Sequence, residues 1–361
     1  MPAIKSSSAR KNRFECGDMP PPFAGGDKLL PAAKLQSSHT LFLLICSYEK
    51  TPSFLSASGA RLADGSIFSA FAQEAKPAPE ELRVPEGTRF YQDIAYVENG
   101  HARQKLDLLL PPADLVKAGG KLPVVIWIHG GAFRHGDKGG RHRALPLLRK
   151  GYAVACLNYR LSQHAVFPAL LEDAKAAIRW LRAHADTYGL DPGRFVSWGE
   201  SAGGYLGSML GTTGDVKEYD VGAHLEFSSR LQGVVDFYGP SDFTVMDEQA
   251  KSTPGSDRNH DEPDSPESQL LGGPVQENKD KAQRANPITY ITKDDPPFLV
   301  LHGDHDKLVP YGQSVILVEA LKKAGVSVIF HTVKDGGHGD GFGKAEQKAA
   351  EEFTDKLFQK K

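Results

Sequence analysis

Cysteine is scarce in this chain. Cys16, Cys46 and Cys156 are the only three in 361 residues, too few for a disulfide framework. No Cys/His spacing of a metal site accompanies them. Cys156 sits in the apolar run Tyr152–Leu157 and reads as a small buried hydrophobe. A charge excess is also lacking. The formal net charge is -2, so there is no broad basic field to hold nucleic acid or an anionic membrane. Long hydrophobic runs are missing too: outside the core segments the longest is Leu41–Cys46, far short of the ~20 residues that span a bilayer. There is no internal repeat. The acidic run Asp257–Asp264 lacks the Gly and Glu positions of a calcium loop and reads as solvated.

Residues 1–80 carry early basic residues, a Pro/Gly stretch, a short apolar run and then Ser/Ala-rich sequence. Ala70-Phe71-Ala72 has the small-x-small form of a signal-peptidase site, but Arg61 and Asp64 interrupt the apolar region that should precede it. Two readings stand, a degenerate export signal and a disordered leader. Localisation accordingly stays open between exported or periplasmic and cytoplasmic. Residues 81–361 form the expected catalytic domain, and nothing in the sequence sets an oligomeric state.

From residue 88 onward, strand-like and helix-like segments alternate. Phe90–Tyr96 and Lys105–Leu110 read as strands joined by a turn at Asn99-Gly100. Pro123–Ile128 and Tyr152–Leu157 are continuous apolar runs, as expected of strands buried on both faces. Leu171, Ala174, Ile178 and Leu181 share one face of a helix over Pro168–Tyr188, closed by Gly189. Further strands fall at Phe195–Trp198, Leu231–Phe237, Phe298–His302 and Val326–Val333, with helices at Tyr205–Leu210, Gly312–Ala324 and Lys344–Phe358. The pattern predicts an α/β class: a mostly parallel sheet of about eight strands, helices on both faces, and an antiparallel hairpin at one edge. Residues 240–295 break the alternation with Pro, Asp, Ser, Asn and Gly. A stretch of that kind is either part of a cap over a pocket or a solvated insertion.

Three segments carry chemistry. Gly199-Glu200-Ser201-Ala202-Gly203 fits G-x-S-x-G between an apolar strand and a helix-forming run. Such a turn exposes a serine at a fixed angle, and small flanking residues permit the sharp bend. His129-Gly130-Gly131-Ala132-Phe133 follows the strand Pro123–Ile128. There, glycines let backbone N–H groups approach a developing oxyanion; the run lacks the spacing of nucleotide-binding loops. Finally, acidic residues follow the strand Phe298–His302, and Gly336-Gly337-His338-Gly339 follows the last strand. The order Ser201, Asp306, His338 is that of an α/β-hydrolase triad and not of chymotrypsin-like or subtilisin-like enzymes. His302, Asp304, His305 and Asp306 also form a possible-looking metal cluster, but alternating positions at a strand end point to opposite faces.

Taken together, these segments resemble the hormone-sensitive-lipase-like esterases, most closely the group with feruloyl, acetylxylan and other bacterial carboxylesterases. Asn158-Tyr159-Arg160-Leu161-Ser162, Phe167-Pro168-Ala169, Asp173 and Trp180-Leu181 belong to the same likeness. The resemblance spans roughly residues 88–358 and implies the α/β-hydrolase fold. It implies a catalytic triad of Ser201, Asp306 and His338, and an oxyanion hole from the N–H groups of Gly131, Ala132 and Ala202, with His129 and Gly130 shaping the loop. Ala132 stands where many relatives carry a third glycine. Of the two carboxylates after the strand, Asp306 matches the family position, while Asp304 is expected to brace the turn through backbone N–H groups.

The implied reaction is hydrolysis of a small-molecule ester through an acyl-enzyme, with neither metal nor organic cofactor. Short acyl chains are expected, because residues 240–295 offer no large apolar patch to act as a lipid-binding lid. The ester is expected to be acetyl or feruloyl, carbohydrate-linked or not. Two alternatives stand beside it. One is a serine peptidase of related fold, which usually carries a large gating domain; the other is a non-catalytic binding protein on the same scaffold, which usually lacks a triad member.

Overall fold

A computed structural model describes residues 83–116 and 119–359. The export-signal readings and Leu41–Cys46 lie outside the described residues. Eight strands form one sheet: β1 Arg89–Ala95, β2 Lys105–Leu110, β3 Leu122–Ile128, β4 Ala153–Leu157, β5 Leu190–Glu200, β6 Gly233–Phe237, β7 Phe298–Gly303 and β8 Val328–Val333. Their order is β1-β2-β4-β3-β5-β6-β7-β8. The pairs β1–β2 and β2–β4 are antiparallel and the rest parallel, as the edge hairpin and the alternating pattern lead one to expect.

The helices are α1 Ala169–Ala183, α2 Ala185–Tyr188, α3 Ala202–Thr212, α4 Met246–Lys251, α5 Pro266–Leu271, α6 Lys279–Arg284, α7 Gly312–Lys323 and α8 Lys344–Gln359. All seven residues of β3 are buried, which explains its unbroken apolar run. Alternate strand residues serve two cores. Val124 and Ile126 pack with Ile178 of α1, Met209 of α3 and Leu317 of α7. Val125 and Trp127 pack with Phe353 and Phe358 of α8. The helices therefore cover both faces. Cys156 lies fully buried and unpaired in the second core, and burial pushes its thiol up to about 12.

Two expectations need adjustment. The helix read over Pro168–Tyr188 is two helices. The break falls at His184, whose backbone N–H and ring Nδ1 both meet the Trp180 carbonyl at 3.0 and 2.8 Å; Gly189 still ends the second with a left-handed φ of 69°. Residues 240–295, in turn, are no solvated insertion. They fold into α4, α5 and α6 with short 3-10 turns and send Phe243, Met246, Leu270, Leu271 and Val275 into the first core. Each of these helices is six residues long, less than two turns, so no periodicity shows in the sequence.

Candidate active site

The expected chemistry gathers at the carboxyl ends of the parallel strands. Ser201 sits between β5 and α3 with φ 53° and ψ -120°, a backbone state that costs a non-glycine residue of order 1–3 kcal/mol. The surroundings hold it there. Its N–H donates to the Phe237 carbonyl at 2.9 Å. A Cβ on Gly199 would stand 2.1 Å from the Gly203 oxygen, and one on Gly203 would stand 2.1 Å from the Ile128 oxygen. Both motif glycines are therefore steric necessities.

His338 arrives from the loop after β8. Its Nε2 lies 2.9 Å from Ser201 Oγ and its Nδ1 lies 2.7 Å from Asp306 Oδ2. Asp306 is fully buried and uses both oxygens twice. Oδ2 also faces His302 Nε2 at 3.1 Å, while Oδ1 accepts from the N–H groups of Leu308 and Val309 at 2.8 and 3.0 Å. Burial alone would push its acidity down. The hydrogen bonds from His302 and His338 outweigh that and hold the carboxyl well below the usual carboxylate range. A permanently ionised, acceptor-only group thus fixes the proton of His338 on Nδ1, leaving Nε2 free to take the serine proton.

Asp306 braces the turn through those two backbone donors, and Asp304 also meets backbone N–H groups, its own and that of Asp335. Asp304 sits at the surface, bonded to His305 Nδ1 at 2.7 Å. The four residues that also read as a metal cluster are divided accordingly. His302 and Asp306 are fully buried, whereas Asp304 and His305 face outward beside Asp335.

The loop after β3 has φ values of 114° at Gly131, 51° at Ala132 and 59° at Phe133. Gly130 packs against the serine turn so closely that a Cβ would meet the Glu200 oxygen at 2.8 Å. The N–H groups of Gly131, Ala132 and Ala202 have no hydrogen-bond partner among the described residues. Ala202 opens α3, so the positive end of that helix adds to its donor.

His129 does more than shape this loop. Its Nδ1 donates to the Gly130 oxygen at 2.7 Å, and its Nε2 accepts from Arg103 Nη2 at 3.1 Å. A guanidinium only donates, so Arg103 sets the tautomer and thereby the orientation of the Gly130 peptide. Arg103 also donates to the carbonyls of Tyr159 and Gly136 at 2.8 and 3.0 Å. Tyr159 stacks on the His129 ring at 4.5 Å and donates from its hydroxyl to the His129 carbonyl at 2.9 Å. Burial, joined by the nearby Arg103 charge, lowers His129 to about 4 despite its bond to Gly130. It is therefore neutral at pH 7.

Sequence reasoning did not find Arg103, which lies in the hairpin 26 residues before its partner. Nor did it find Tyr238, at the end of β6, whose ring meets His338 edge to face at 4.7 Å. A residue just past a strand in a chain with strands 5, 7 and 8 so used was the available signal for Tyr238; Arg103 had none.

A cavity of about 500 Å³ opens over Ser201 and His338. Ala132, Phe133, Ala202, Pro240, Pro266, Leu308 and Val309 give it an apolar lining, and most of the segment from Asp257 to Glu267 lines it as well. The acidic run read as solvated is thus mostly exposed yet borders this site, and His260 within it is buried.

Residues 106–321 match the model of the BD-FAE family. The chain belongs to the BD-FAE family. Among curated relatives, this BD-FAE chain is 34% identical over 235 residues to the probable carboxylic ester hydrolase LipM of Mycobacterium tuberculosis, covering 64% of this chain and 51% of LipM. It is 30% identical over 220 residues to esterase LipC of the same organism, covering 60% and 53%. The chain spans about half the length of these relatives. Among solved structures it is similar to a truncated carbohydrate esterase from gut microbiota, with a TM-score of 0.67 and 30% identity over 78% of this chain and 99% of that one. It is also similar to a bifunctional GH43-CE protein of Bacteroides eggerthii, with a TM-score of 0.66 and 36% identity over 74% and 38%. These neighbours share the α/β-hydrolase sheet. Among the described residues, no helix is long and apolar enough to cross a membrane.

Proposed function

We propose that this chain is a serine carboxylesterase that cleaves short-chain acyl esters, including esters on carbohydrate. The observation that carries this reading is the continuous hydrogen-bonded chain from Ser201 through His338 to Asp306 at 2.9 and 2.7 Å. Ser201 Oγ attacks the ester carbonyl as His338 Nε2 takes its proton. The oxyanion so formed meets the N–H groups of Gly131, Ala132 and Ala202, each donor worth about 3 kcal/mol at the transition state. Asp306 holds the imidazolium. The alcohol leaves with that proton, and a water deprotonated by His338 releases the acid. The names of the relatives, carboxylic ester hydrolase and carbohydrate esterase, agree with this reading.

The preference for short chains follows from the cavity. Its apolar lining comes from Ala132, Phe133, Ala202, Pro240, Pro266, Leu308 and Val309, and beside it lie the carboxylates of Asp257, Glu262 and Asp264. A long acyl chain would have to lie against carboxylates. Hydrolysis rates on p-nitrophenyl acetate, butyrate and palmitate test the proposal, with Ser201→Ala as the control. The acetate and butyrate should turn over fastest and the variant should be inert. Faster turnover of emulsified long-chain triglyceride, or an active Ser201→Ala protein, would overturn it.

A further inference from the structure

The mechanism leaves a buried histidine of the cavity lining unused. His260 is buried, 5% exposed, and borders the same cavity as Ser201 and His338. Its placement is built on every side. The backbone N–H donates to Asp247 Oδ1 at 2.5 Å, and the carbonyl accepts from Ser265 Oγ at 2.7 Å. Ring Nδ1 lies 3.2 Å from Glu267 Oε2, and Glu267 is itself 4% exposed on α5. Ring Nε2, however, is buried with no hydrogen-bond partner. A buried polar atom without a partner is costly, and one beside a substrate cavity is relieved when a ligand group fills the gap.

The chemistry of that ligand group follows from the pair. A carboxylate only accepts, so the shared hydrogen belongs to Nδ1, and in the neutral ring Nε2 then presents a lone pair. It wants a donor. The rest of this wall carries the acceptors Asp257, Glu262 and Asp264 beside Arg258 and Asn259. The apolar lining, with Phe133 and Val309, suits a short acyl group. We infer that the His260–Glu267 pair is a specificity element that accepts a hydrogen bond from a free hydroxyl on the alcohol portion of the ester. Glu267 is the positioning residue, because it sets the tautomer that makes Nε2 an acceptor. This inference rests on the esterase reading and assigns the polar part of the cavity lining.

The test compares kcat/KM of the full chain on a mono-acetylated methyl xylopyranoside with its deoxy analogues, each lacking one free hydroxyl. For one analogue the wild type should lose at least about tenfold, as sites built to bind a hydroxyl reject substrates lacking it. In His260→Phe that ratio should collapse toward one; His260→Leu serves the same purpose if the larger ring is not accommodated. Equal kcat/KM across the series in the wild type, or unchanged discrimination in the variants, overturns the inference. Hydrolysis of p-nitrophenyl acetate by the wild type, which carries no hydroxyl on its leaving group, separates the two levels. Activity there without discrimination on the xylosides sinks only the hydroxyl site, whereas inactivity on every ester sinks the esterase reading with it.

Discussion

Two histidines line one cavity, His338 and His260, each paired with a carboxylate, and the two pairs are held by different kinds of structure. His338 and Asp306 hang from the ends of β8 and β7, neighbouring parallel strands whose register is fixed over six residue pairs. Gly303 at the end of β7 lies so close to the histidine loop that a Cβ would meet the Gly336 oxygen at 2.3 Å. His260 and Glu267 belong instead to a segment of short helices and turns, held by side-chain caps such as Ser265 on the Ser268 N–H. The first pair is placed by the sheet and has every acceptor site of Asp306 filled. The second leaves a ring nitrogen open. The proposed reaction geometry thus rests on strand ends, while the wall that carries His260 is built from short helices and turns.

Substitutions at the strand-end pair should break this comparison most visibly. Asp306→Asn keeps the shape but offers an amide that no longer enforces the Nδ1–H tautomer. A change of that kind lowers kcat by about 10⁴-fold in serine proteases, and a loss of that order is expected on p-nitrophenyl acetate. Near-wild-type turnover would show that the sheet-held carboxylate is dispensable.

Arg103→Ala should come next. Without the guanidinium, His129 can turn, the Gly130 peptide loses its anchor and the Gly131 donor drifts. About tenfold to hundredfold in kcat is expected, in line with the loss of supporting contacts at an active site. KM should change little, because the oxyanion exists only in the transition state. A variant altered in KM alone would place Arg103 in substrate binding instead.

His129 offers a stability test of the same support. In the fold it binds a proton only near pH 4, whereas an unfolded histidine does so near 6.5. Between those values unfolding takes up a proton, so this term stabilises the fold above about 6.5 and is lost as pH falls toward about 4. The loss is on the order of 3 kcal/mol. Urea titrations across that window should show a shallower pH slope for His129→Gln than for the wild type. Asp306, whose acidity is shifted the other way from burial alone, contributes in a separate window below the usual carboxylate value of about 4. An identical slope in both proteins would mean that His129 is not held neutral.

The smallest effect belongs to Asp304→Asn. Its carboxylate bonds the exposed His305 ring and the backbone N–H groups of Asp335 and Asp304 itself, so turnover should stay within about twofold and stability within about 1 kcal/mol. A large fall in kcat there would reverse the assignment of the two carboxylates.

What was legible in the sequence follows the same division. The sheet announced itself because β3 and β4 are buried on both faces and read as unbroken apolar runs. Ser201, Asp306 and His338 stood out because each follows such a strand among glycines or acidic residues. Residues acting through distant partners did not stand out. Arg103 meets His129 from an edge hairpin, and His302 reads as part of a strand until its bonds to Asp306 and Ser314 are seen at 3.1 and 2.6 Å. The run Asp257–Asp264 is mostly exposed, as its composition suggests, but acidic composition does not report proximity to a site. One local signal went unused: Ser265 followed by Pro266 marks the helix start of α5, which carries Glu267.

The most direct test of the account is covalent labelling with a fluorophosphonate, followed by peptide mass analysis of the full chain. One label per chain on the peptide containing Ser201, strongly slowed in His338→Ala and blocked by prior incubation with a short-chain ester, is the result expected of an activated serine at the end of β5. Labelling elsewhere, or an esterase-active protein that takes up no label, would contradict it.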